Sequence, residues 1–83
     1  MPFRYTRTAR DQIVYYTIVP HVIENQISSG RWIKVGKMDI FETRFLHRKA
    51  LFTVKFANYK EYILILSIHR TTSRIAIRKA KGK

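Results

Sequence analysis

The sequence predicts an α+β fold: two N-terminal helices packed on one face of a curved, mainly antiparallel sheet of four to five strands. Three observations carry this expectation. Residues 8 to 28 repeat apolar side chains at three- and four-residue spacing on either side of Pro20. After Gly30 the period changes to two. Tyr62 to His69 is then a nearly unbroken apolar run, as expected of a central strand covered on both faces.

Phe3-Arg4-Tyr5-Thr6 alternates and reads as a short first strand. Thr8-Ala9-Arg10-Asp11 has the form of a weak capping box, with Asp11 suiting the first-turn dipole. A first helix is predicted over 8–16, with Ala9, Ile13 and Tyr16 on its apolar face. Pro20 suits a first helical position, so a second helix is predicted over 20–28. Its stripe is Val19, Val22, Ile23 and Ile27, and Gly30 is its left-handed terminator.

Trp32 to Gly36 alternates, Gly36-Lys37-Met38-Asp39 makes a hairpin turn, and Ile40 to Arg48 is a second β segment. His47-Arg48-Lys49 breaks it. Phe52, Val54 and Phe56 alternate with Thr53 and Lys55, giving one buried face. Asn58-Tyr59-Lys60-Glu61 turns the chain into the apolar run. Strict alternation there places Ile63, Ile65, Ser67 and His69 on one side and Tyr62, Leu64, Leu66 and Ile68 on the other. The order is β-α-α-β-β-β-β within one domain, residues 1–83. Residues 71–83 read as a basic tail: Ile75 and Ile77 add a short strand or dock on the sheet, and nothing requires Ala80 to Lys83 to be ordered.

Composition narrows the function. Seventeen Lys and Arg against five Asp and Glu give a formal charge of +12. A folded domain that carries such self-repulsion is expected to meet a polyanion or an acidic protein. No cysteine is present, which excludes disulfides and thiolate metal sites. No apolar run approaches a bilayer span, and Met1-Pro2-Phe3-Arg4 lacks a signal core, so a cytoplasmic protein without membrane association is expected.

His21, His47 and His69 have no metal-ligand spacing, the five acids are scattered, and no glycine-rich phosphate loop exists. Neither metal nor cofactor is expected. What remains is cation-rich chemistry on a phosphodiester: a group that moves a proton and cations that stabilise the charged transition state. His47, Arg48, His69 and Arg70, all near strand ends, are the candidate catalytic residues, with Arg44 able to add charge. The plain alternative is that His69 and Arg70 mark where the strand leaves the core. Arg7, Arg10, Arg44, Lys55, Arg74 and Arg78 are the candidate nucleic-acid contacts. Trp32, Tyr59 and Tyr15 are candidates for stacking on bases, although Trp32 also suits a core or rim position.

The segments Phe3 to Arg10, Ile18-Val19-Pro20-His21-Val22-Ile23, Ala50 to Phe56 and Tyr62 to Arg70 together resemble a small, poorly characterised domain family related to the RelE/ParE and BrnT-type toxins. The resemblance covers about residues 3 to 70, with short motifs. It implies a RelE-like fold and a toxin-type module that acts on free or ribosome-bound RNA through a basic sheet face. It also implies neutralisation by an acidic antitoxin. Arg7, Arg10 and Arg70 match the family pattern; Thr8 stands in place of an N-terminal His, and His69 in place of an aromatic residue. Two further classes remain open: a non-catalytic binder of RNA or DNA, viral or plasmid-borne, and an interaction domain for an acidic protein. In each, Arg44, Arg48, Lys55 and Arg70 are expected on or beside the uncovered side of the sheet.

Overall fold

The structure, a computed structural model, describes residues 2–81. The elements run β1 (Phe3–Tyr5), α1 (Arg7–Tyr16), α2 (Pro20–Ser28), β2 (Ile33–Lys34), β3 (Ile40–His47), β4 (Ala50–Asn58), β5 (Ile63–Thr71) and α3 (Arg74–Lys81). The five strands form one mixed sheet in the order β1-β5-β4-β3-β2, with β1 parallel to β5 and the other pairs antiparallel. Helices α1 and α2 pack on one face, as the sequence predicts.

α1 begins one residue earlier than expected, because its cap is Thr6 and not Thr8. The Thr6 hydroxyl accepts from the Ala9 N–H at 3.1 Å. The helix ends at Thr17, in the left-handed region at φ 55°, and the Ile18 N–H reaches back to the Ile13 carbonyl at 3.2 Å. This closure turns Ile18 into the core, whereas Val19, expected on the apolar stripe, is exposed. α2 starts with Pro20 in its first turn and stops before Gly30 at φ 79°.

The core lies between the helices and the sheet. Ala9, Ile23 and Ile27 meet Phe45, Phe52, Val54, Phe56, Ile63, Ile65 and Ile68. Trp32 closes its rim: the indole N–H donates to the Ile27 carbonyl at 2.7 Å, and the ring stands on Phe41 and Phe56. The Tyr5 hydroxyl donates to the Glu24 carboxylate and ties β1 to α2. Burial, and then this carboxylate, raise the Tyr5 phenol well above its usual range.

Two corrections concern β5 and the C-terminal segment. β5 does not alternate strictly. Phe56 pairs with Ile65, but Lys55 pairs with Ser67, so Leu66 is an extra, bulged residue. Beyond the bulge the phase inverts. Ile68 and Arg70 join Ile63 and Ile65 on the helix face, while Ser67, His69 and Thr71 face the other way. The cause lies next to the strand. β1 pairs with β5 only as far as Ile65. From there α1 meets the backbone of β5: the Thr6 hydroxyl donates to the Leu66 carbonyl at 2.9 Å, and the Ile68 N–H donates to Gln12 Oε1 at 2.6 Å.

The predicted basic tail is in large part a helix, α3, which includes Ala80 and Lys81. Ser73 caps it, accepting from the Ala76 N–H at 3.4 Å, and Arg78, Lys79 and Lys81 suit the last-turn dipole. The expectation for Gly82 and Lys83 lies outside the described residues. α3 packs over the start of β4, on the sheet face away from α1 and α2. That face is therefore not left to polar groups alone: Leu51 points into it and is 7% exposed.

Candidate functional site

Of the four candidate catalytic residues, the fold brings three together. His47 ends β3 and Arg48 follows in the turn to β4. Arg70 stands beside Phe52 in the register of β4 and β5. With Tyr16 and Thr17 from the end of α1, they line a cleft of about 210 Å³ whose floor is Phe52. The His47 and Tyr16 rings both stand edge-on to Phe52, with centroids at 6.0 and 6.3 Å. The turn is a two-residue hairpin with Arg48 at φ 50° and Lys49 at φ 64°. Such a turn suits the twist of the strands but usually holds Asn-Gly.

The fourth residue, His69, is separated from them. It pairs with Thr53, which pairs in turn with Arg44, so Arg44, Thr53 and His69 form one row on the opposite, open face. The next row is Glu42, Lys55 and Ser67. Arg70 is therefore not on the uncovered side of the sheet, as strict alternation requires; the bulge moves it to the helix side.

The candidate nucleic-acid contacts also divide. Arg44 and Lys55 are exposed in the middle of the open face. Arg74 and Arg78 lie on α3, which borders that face. Arg7 and Arg10 are exposed on α1, in the helix layer behind the sheet. Between α3 and the sheet runs a groove of about 760 Å³ lined by Ile33, Leu46, Leu51 and Ala76, with Arg44 and Lys79 among its walls.

Charge on these surfaces is scarcely compensated. Among the described residues the single ion pair is Arg44 with Glu42, at 3.4 Å. A pair this exposed adds little stability. Among the same residues no three His, Asp or Glu side chains gather as a metal site, and no helix is long and apolar enough to cross a membrane.

Tyr16 and Thr17 were not legible as site residues. Tyr16 shares the inward face of α1 with Ile13, and its role at the cleft depends on where the helix end docks on the sheet. No known protein family, no characterised protein and no solved structure matches the chain.

Proposed function

We propose that the chain is a cytoplasmic, RNA-directed module of the RelE-like toxin type. The His47 cleft receives one phosphodiester on the helix side, and the RNA strand passes round the end of the sheet at the β3–β4 turn to α3 and the open face, which hold its backbone. The observation that carries this reading is the convergence of His47, Arg48 and Arg70 in one cleft without a carboxylate. His47 takes the proton from the ribose 2′-OH. The 2′-oxygen attacks phosphorus, and the two guanidinium groups stabilise the extra negative charge. The bond to the 5′-oxygen breaks, solvent protonates it, and a 2′,3′-cyclic phosphate remains. His69 takes no part, because it lies across the sheet.

The test is incubation with free mRNA and with mRNA on translating ribosomes. Cleavage is expected, with loss in His47→Ala and Arg70→Ala and retention in His69→Ala. Intact RNA with folded wild-type protein, or undiminished cleavage by His47→Ala, overturns the catalytic step.

One observation favours a second reading, a non-catalytic nucleic-acid binder: the two histidines that cleavage would pair as base and acid stand on opposite faces. RNA or DNA then stays intact, and affinity falls steeply with salt through counterion release. In either case the excess of cations on the open face and α3 suits an acidic protein that covers them, as an antitoxin would.

A further inference from the structure

We infer that the corner of the open face formed by Arg4, Tyr59 and Tyr62 is a base-stacking subsite, so that the ligand of this face is single-stranded and not duplex. This rests on the nucleic-acid reading and specifies its substrate class. Arg4 pairs with Leu64 across β1 and β5, and its guanidinium carbon stands 4.6 Å from the centroid of the Tyr62 ring. This cation–π contact occupies one face of Tyr62 and fixes the ring. Tyr59 meets Tyr62 at 5.2 Å and 61°, an edge-on arrangement, and the residue is 42% exposed. The Tyr59 N–H donates to the Tyr62 carbonyl at 3.0 Å and closes the turn between β4 and β5. Both rings therefore sit on a closed turn at the sheet's end, and little order is lost when a base lands on them.

Neither ring belongs to the core between helices and sheet. Tyr59 follows Ala57 and Asn58 at the end of β4, and Lys55 stands two residues before Ala57, ~7 Å along the strand. A strand with one base on Tyr59 thus passes its phosphates over Lys55 toward the row of Arg44 and His69. α3 meets the face beside Leu51 and Arg44, whereas Lys55 and Tyr59 are exposed. In a duplex the base faces are stacked on one another and cannot reach an aromatic ring; a splayed single strand presents them.

The experiment compares three probes with the same number of phosphates: a single-stranded RNA, a duplex of half its length, and an abasic sugar–phosphate oligomer. Wild-type protein is expected to prefer the single strand to both others. Stacking of one base is worth about 1–3 kcal/mol, so Tyr59→Leu should weaken single-strand binding by about 5- to 150-fold. Tyr59→Phe should stay close to wild type, and abasic binding should not respond to either change. Tyr59→Trp should show fluorescence quenching with the single strand beyond that of wild type, and none with the abasic oligomer. Equal affinity for RNA and abasic oligomer, or single-strand binding indifferent to Tyr59→Leu, overturns the subsite while leaving polyanion binding intact. If the folded wild-type protein binds none of the three, the nucleic-acid reading itself fails.

Discussion

Replacing Gln12 with Leu tests the device that sets the phase of β5. Gln12 Oε1 is the acceptor for the Ile68 N–H at 2.6 Å, at a partly buried position just past the bulged Leu66. Leu keeps the approximate size but removes the acceptor. The N–H then stays between α1 and β5 without a partner, which costs about 1–3 kcal/mol. In a domain of this size each kcal/mol lowers the midpoint by about 4–8 °C. Gln12→Glu keeps an oxygen in place and should recover most of the loss. Denaturant unfolding gives the stability, and amide exchange at Ile68 gives the local effect: its protection should fall more than that of Val54, its partner in the ladder. A loss below about 0.5 kcal/mol in Gln12→Leu, with Ile68 protection unchanged, would refute the view that α1 pins the bulge.

Other expectations follow from single contacts. Because the Tyr5 phenol is raised in the fold, its contribution is complete below its unfolded value of about 10 and declines as pH rises beyond that; the alkaline fall in melting temperature should be smaller in Tyr5→Phe. Thr43 is buried, and among the described residues its hydroxyl has no partner, so Thr43→Val should raise stability by about 1 kcal/mol in thermal unfolding. Lys49 holds a left-handed conformation at φ 64°; Lys49→Gly should stabilise the hairpin by about 1 kcal/mol, and a lower unfolding midpoint would count against strain there.

Much of the architecture was legible in local chemistry. Pro20 and Gly30 bracket α2 because proline suits a first helical turn and glycine accepts positive φ. Phe52, Val54 and Phe56 mark the buried face of β4 because side chains alternate along a strand. The polar break at His47-Arg48-Lys49 marks the end of β3, but only the structure narrows it to a two-residue hairpin at Arg48-Lys49 with His47 opposite Ala50. α3 was not legible. Its Ile75, Ala76 and Ile77 match a short strand as well as a helix, and the Ser73 cap and the apolar surface around Leu51 decide between them.

The candidate site divides along the same line. Its residue types were determined by the sequence alone: a large excess of cations, two histidines near strand ends, few acids and no cysteine. The partition of those residues between two faces was decided by the tertiary structure. Alternation is a local rule and holds only while both neighbours of a strand keep register. β1 stops at Tyr5, and α1 takes over that side of β5 through Thr6 and Gln12. One extra residue at Leu66 then turns Arg70 toward His47 and His69 toward Arg44. That exchange depends on a helix more than fifty residues earlier in the chain, and no pattern within β5 contains it.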